Sequence, residues 1–198
     1  MRMPDSPTLI SLDVLRLMDK HPHGTWLAQS KMDGWRRVAL NIQGVWHWKA
    51  KPGGSGALKP LPAELEYAFE RLAWPEGIGL DIEWMGQRGG SHSLHVFDMI
   101  YAGGEFLDKM PFEERYALLA GICEDLLLKW PIVLLPVWGN PHLLDAYIYQ
   151  LTTPGSEGLV IRKADCLQVG GLSKCLDNPF VFKVKHQKRS ELALKEEK

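Results

Sequence analysis

Hydrophobic positions recur along the chain at two spacings, and the change from one to the other outlines its elements. Ser11 stands ahead of Leu12, Leu15, Leu17 and Met18, which predicts a short capped helix ending before Pro22. From Thr25 to Leu40 the pattern reads strand, turn, strand, and Val45 to Trp48 adds a third strand after Gly44, so an antiparallel meander is expected. Pro62 opens a helix through about Ala73 with Leu65, Phe69 and Leu72 on one face. Ile78 to Met85 and Ser93 to Tyr101 read as buried strands around the turn formers Gly86, Gly89 and Gly90. Pro111 starts the longest helix, whose apolar stripe is Tyr116, Leu119, Ile122, Leu126 and Leu127, up to Trp130. A strand over Ile132 to Val137, a helix from Pro141 to Leu151, and strands over Gly158 to Arg162 and Val181 to Val184 complete the pattern. No regular βαβ rhythm emerges, and the mixture predicts an α+β domain with largely antiparallel sheet.

The 198 residues suit one substantial domain, and a 45% hydrophobic, 24% charged composition is that of an ordinary soluble globular chain. A formal net charge of −1 gives no global argument for a polyanionic partner, so a phosphate-binding surface has to be local. The best local run is Lys183, Lys185, His186, Lys188 and Arg189, followed by the acidic Glu191, Glu196 and Glu197. Cys123, Cys166 and Cys175 are odd in number and lack C-x-x-C spacing, which argues against a disulfide framework or a structural zinc and for reduced thiols in the cytoplasm. The amino terminus carries no apolar export segment, and no run is long enough to span a bilayer. Gly53, Gly54 and Gly56 lack P-loop spacing and read as a loop.

Candidate chemistry begins at Lys31, which precedes Asp33 and Gly34 between two expected strands. Alone, such a lysine beside a turn is commonplace. Four further stretches change its setting. Asp81 and Glu83 lie two apart on a strand and therefore share a face. Phe97 and Asp98 sit in a second apolar strand, Glu157 begins another, and Lys183 with Lys185 share a face of the last. Each has a plainer reading: Phe97 as core, the acids and lysines as solvated faces. Trp35, Trp46, Trp48 and Trp84 read as core or edge packing or as nucleic-acid contacts, and His92 and His95 have no metal-ligand spacing.

From Gln29 to Lys185 the chain resembles the covalent nucleotidyltransferase superfamily of ATP-dependent DNA ligases, RNA ligases and messenger-RNA capping enzymes. The motifs occur in the family's order: Lys31-x-Asp33-Gly34-x-Arg36, Asp81-Ile82-Glu83, Phe97-Asp98, Glu157-Gly158-Leu159-Val160 and Lys183-x-Lys185. The resemblance implies a nucleotidyltransferase (ATP-grasp-like ligase adenylation) domain with antiparallel sheets and flanking helices. It implies Lys31 as the nucleophile that forms lysyl-AMP, Arg36 and Glu83 at the ribose, Phe97 stacked on the purine, and Lys183 and Lys185 at the α-phosphate. Gln29 stands where related ligases often have a glutamate, in the region that reads the adenine edge. A lysine attacks phosphorus only as the neutral amine, and two nearby cations would depress its pKa. Glu157, with Asp33, Asp81 or Glu83 as helpers, suits a hard divalent cation, magnesium or manganese, held partly through water.

The Glu157 stretch resembles an ATP-dependent DNA ligase more than a capping enzyme, whose counterpart commonly begins with Asp. Gly170, Gly171, Ser173 and Lys174 are similar to the stretch before the last motif of small ligases. The expected domains are 1–190, nucleotidyltransferase, and 191–198, a short charged tail, with no OB-fold domain. Lys49, Lys51, Lys188 and Arg189 are the candidate nucleic-acid contacts. The expected activity is sealing of nicked DNA by a monomer, with a second protein possible in place of the OB-fold; the alternatives are an RNA ligase, a capping-type guanylyltransferase, or a non-catalytic nucleic-acid-binding protein of the same fold.

Overall fold

The computed structural model describes residues 6–20, 25–50, 60–86, 92–168 and 177–186. Strand β1 (Ser6–Leu9), which the hydrophobic pattern does not reveal, precedes helix α1 (Leu12–Lys20). Ser11 caps α1 through its side-chain oxygen on the Val14 amide, 3.4 Å away. There follow β2 (Trp26–Met32), β3 (Trp35–Ile42), β4 (Val45–Ala50) and helix α2 (Ala63–Glu70). Next come β5 (Gly79–Met85), β6 (Ser93–Ala102), the short β7 (Glu105–Phe106) and the longest helix, α3 (Phe112–Asp125). The chain continues through β8 (Ile132–Leu134), β9 (Trp138–Gly139), α4 (Leu143–Gln150), β10 (Ser156–Lys163) and β11 (Asp177–Lys185).

The strands form two sheets, ordered β1-β11-β10-β2-β9 and β4-β3-β5-β6-β7, with β8 alongside β6. Pairing is antiparallel except for β1 with β11 and β6 with β8. The expected meander over 25–48 is therefore only half present. β3 and β4 form a hairpin closed by Gln43 and Gly44, both at positive φ, as a tight two-residue turn requires. β2 does not pair with β3: at Asp33 and Gly34 the chain leaves the first sheet for the second. The expected strand over 132–137 is likewise split, because after Leu134 the chain passes Pro136 and returns to the first sheet as β9.

Helix boundaries also moved. α2 stops at Glu70 and not near Ala73, since the Trp74 indole turns back and donates to the Phe69 carbonyl at 3.0 Å. On α3 the buried line is Phe112, Arg115, Leu119 and Cys123, while Leu127 follows the helix end at φ +48° and is exposed. An arginine thus occupies the stripe that apolar residues were expected to fill.

Two packed layers result. One face of the β3-β5-β6 sheet, carrying Ala39, Leu80, Ile82, Trp84, Leu94, Val96 and Met99, packs with Leu65 and Phe69 of α2 and Leu119 and Cys123 of α3. Trp35, Trp46 and Trp48 are partly buried and pack against this core. The outer face of the other sheet, with Ala28, Leu159, Ile161 and Val184, packs on α1 and α4. The remaining face of each sheet looks into a shared cleft, where Met32 of β2 meets Phe97 of β6 and Leu135.

Candidate active site

Register decides which side chains enter the cleft. On the first sheet, Gln29 opposes Val160, Lys31 opposes Gly158, and Lys183 and Lys185 of β11 oppose Val160 and Gly158, so all four side chains share the inner face. On the second sheet, Arg36 opposes Glu83, and Val38 opposes both Asp81 and Lys49. Phe97 joins this face by a β-bulge: Asp81 pairs with Asp98 and Ile82 with Val96, which leaves Phe97 as the extra residue.

Lys31 is the next-to-last residue of β2, just before the chain crosses between sheets. Its ammonium donates to Glu157 Oε1 in a short contact, and Lys185 Nζ donates to Glu157 Oε2 at 2.6 Å. Burial acts to raise the Glu157 carboxyl, and the hydrogen bonds and charges of Lys185 and Lys31 outweigh it, holding the group below its ordinary range. The crossing is braced from the turn into β10, where the Asp33 amide donates to the Gly155 carbonyl at 2.8 Å and the Ser156 hydroxyl to the Lys31 carbonyl at 3.4 Å.

Two glycines of the motifs are required by space. A Cβ on Gly34 would stand 2.5 Å from the Trp84 carbonyl oxygen and 2.9 Å from Glu83 Cγ. Gly158 has φ +137°, and a Cβ there would lie 1.9 Å from the Val184 carbonyl oxygen. Gly158→Ala is expected to cost about 2 kcal/mol or more. A urea melt within about 0.5 kcal/mol of wild type would show that β10 and β11 do not need this approach.

Arg36 grips Asp81 with a two-pronged contact, Nε to Oδ1 at 2.9 Å and Nη2 to Oδ2 at 2.5 Å. Its guanidinium lies 5.3 Å from the Phe97 ring centroid. Asp81 is fully buried, and burial raises its carboxyl against the pull of Arg36, with Asp98 pushing the same way as burial. Both Asp81 oxygens are engaged by Arg36 away from solvent. Glu157, 24% exposed, reaches the cleft and keeps the hard-oxygen chemistry a divalent cation needs. Among the described residues no group of three His, Cys, Asp or Glu gathers for a metal, so such an ion would lean on Glu157 and on ligands brought by a substrate.

Glu83 is half-buried beside Lys31 and Arg36. Desolvation pushes its carboxyl up to about 7 from 4.5, with the charges of Arg36 and Lys31 opposing and those of Asp81 and Glu157 reinforcing. The folded chain keeps this proton after the unfolded chain has released it, so stability falls as pH rises from about 4.5 to about 7. Glu83→Gln should remove that fall and gain up to about 3 kcal/mol at pH 8 relative to wild type, with little gain at pH 4. Thermal melts at the two pH values check this, and an equal gain at both would sink it.

Gln29 is 2% exposed, and its amide is engaged at both ends: Nε2 donates to the Phe97 and Leu135 carbonyls, and Oε1 accepts from Arg162 at 2.5 Å. Arg162 and Arg115, the latter paired with the motif residue Asp98, are charged residues to which the motifs assign no role. Arg162 lies 5.7 Å from the Phe97 centroid and 4.5 Å from that of Phe112. Lys49 stands on the cleft face of β4. Lys51, Lys188, Arg189, Cys175 and the stretch from Gly170 to Lys174 lie outside the described residues. His92 packs beside Trp84, with ring centroids 5.8 Å apart, and burial lowers His95 to about 4.

No family model and no curated protein matches the chain. Solved structures do. A mycobacterial DNA ligase D complexed with ATP superposes with a TM-score of 0.70 at 17% identity, over 94% of this chain and 61% of that one. The fold is that of a ligase nucleotidyltransferase domain. The ATP-dependent DNA ligase of bacteriophage T7, complexed with ATP, follows at a TM-score of 0.60 and 14% identity, over 92% of this chain and 68% of that one. An archaeal ATP-dependent RNA ligase matches at 0.54 and 17% identity, over 91% of this chain and 48% of that one. The chain thus spans about three fifths of the mycobacterial ligase. No helix among the described residues is long and apolar enough to cross a membrane.

Proposed function

We propose that this chain is an ATP-dependent polynucleotide ligase acting on nicked DNA through a lysyl-AMP intermediate. The observation that carries the reading is the Lys185–Glu157–Lys31 chain of contacts at the mouth of a cleft between two sheets. The ligase fold supports it.

In the first step Lys31 Nζ, after giving up a proton, attacks the α-phosphorus of ATP, and the bond to the β-phosphate breaks to release pyrophosphate. Glu157 is the base nearest that proton. Once phosphate enters, Lys185 and Lys183 on the inner face would turn their charge toward the α-phosphate oxygens, and Phe97 would carry the purine. A divalent cation at Glu157 would supply charge neutralisation of the triphosphate. A 5′-phosphate oxygen then attacks the phosphoramidate and Lys31 leaves as the amine. Finally a 3′-hydroxyl attacks the activated 5′-phosphorus and AMP departs. Lys49 at the cleft edge, with Lys51, Lys188 and Arg189, would hold backbone phosphates.

Intact-mass measurement after incubation with ATP or GTP and magnesium tests the reading. An adenylyl adduct is expected with ATP, none with GTP, and no adduct with either would overturn it. The RNA ligase neighbour favours a second reading with RNA ends as substrate. Competition between nicked DNA, DNA–RNA hybrids and RNA for the loaded enzyme separates the two.

A further inference from the structure

Gln29 occupies the position from which an adenine-reading side chain would be expected, yet its amide has other work. The Phe97 carbonyl accepts from Nε2 at 3.0 Å and the Leu135 carbonyl at 3.5 Å, so both amide hydrogens point at backbone oxygens, one on β6 and one just past β8. Leu135 O also accepts from the Tyr116 hydroxyl of α3 at 2.8 Å. At the other end Arg162 of β10 donates to Oε1 at 2.5 Å. These partners fix which end of the amide is which: carbonyl oxygens accept only from nitrogen, and the guanidinium donates only to oxygen.

The consequence is mechanical. β2 carries Lys31 two residues beyond Gln29, and the carbonyl that Gln29 holds belongs to Phe97, the extra residue of a bulge. A bulge is a local break in the ladder that re-aims the side chain it carries. Arg162 adds its guanidinium near the Phe97 ring and is itself 8% exposed. We infer that Gln29 and Arg162 form a clasp across the cleft that positions the Phe97 platform relative to Lys31, and that Gln29 does not read the base. The inference rests on the nucleotidyl-transfer function proposed above for Phe97 and Lys31.

The test compares ATP with a purine nucleoside triphosphate that lacks the 6-amino group, as donors for labelling of Lys31. A positioning residue acts on both nucleotides alike, so Gln29→Leu should raise KM for both by the same factor, about tenfold, and leave their ratio as in wild type. A side chain that reads the 6-amino group would behave otherwise: ATP alone would weaken and the wild-type preference would collapse. That result overturns the inference. Should Gln29→Leu not fold, Gln29→Glu carries the same comparison, because it keeps an oxygen for Arg162 and loses both donors. A wild-type chain that takes no label would sink the proposed function alone. The clasp is then judged by urea unfolding of Gln29→Leu, Arg162→Leu and the double variant. A double loss well below the sum supports the clasp, and additive losses overturn it.

Discussion

Lys31→Ala should lose all covalent label from ATP and lower any ligation of nicked DNA by at least about 10⁴-fold, because the proposed reaction forms its phosphoramidate on Lys31. The site argues for so large an effect. Among the described residues Lys31 is the amine that stands on the cleft face at the crossing between sheets, 21% exposed, with its contact to Glu157 aiming it along the cleft wall. Lys185 shares that carboxylate but is 46% exposed and lies on β11, two strands from β2 and the crossing. The variant should fold, since alanine at a strand position removes one ion pair of partly exposed partners, worth about 1 kcal/mol or less. Presenting Lys31→Ala with DNA already adenylylated at its 5′-phosphate bypasses the missing nucleophile and should restore sealing. Retained label would move the nucleophile elsewhere in the chain. Failure on the adenylylated DNA by a folded variant would mean that Lys31 does more than accept AMP.

Much of this arrangement was legible before the fold. Strand alternation placed Lys183 with Lys185, and Asp81 with Glu83, on common faces, and the structure keeps both pairs there. Composition and periodicity sufficed for the α+β class because the apolar stripes of α1 and α2 and the strands β5, β6 and β10 are local patterns. What alternation could not show was which sheet a strand joins. β2 and β3 look like a hairpin in any local window, and only long-range pairing of β2 with β10 and of β3 with β5 separates them. The bulge at Phe97 is invisible for the same reason, since it is a property of the ladder with β5 and not of β6 alone. Asp81 has the residue type of a metal ligand, and its pairing with Arg36 is a contact that strand alternation alone does not show. Arg115 left a signal that was available: three residues after Phe112 and four before Leu119, it interrupts the buried stripe of α3. A charge at such a position needs a partner in the core, and Asp98 is the acid on the facing strand.

That pair carries the largest expected loss of stability. Arg115 donates to Asp98 from Nε at 3.0 Å and from Nη2 at 2.9 Å, with side chains 2% and 4% exposed. The Met110 carbonyl takes a further Arg115 hydrogen at 2.5 Å, and the Met99 amide donates to Asp98 Oδ1 at 2.8 Å. Asp98→Ala should therefore cost about 3–5 kcal/mol, because it strands a guanidinium and an amide where water cannot replace the carboxylate. Against the roughly 5–15 kcal/mol typical of a domain, that is about a fifth of the total or more. Asp98→Leu combined with Arg115→Met should recover most of it, since removing both charges removes the desolvation debt as well. Urea midpoints at unchanged slope measure both. The two outcomes also bear on the site, because Asp98 follows Phe97 in the bulge. If the pair only stabilises the fold, the double variant should take adenylyl label as wild type does. If the fork also holds the bulge in register, the double variant will be stable and yet weakened toward ATP, and Phe97 will have lost its support from α3. A single-variant cost below about 1 kcal/mol would leave neither account standing, because a stranded buried charge cannot be that cheap.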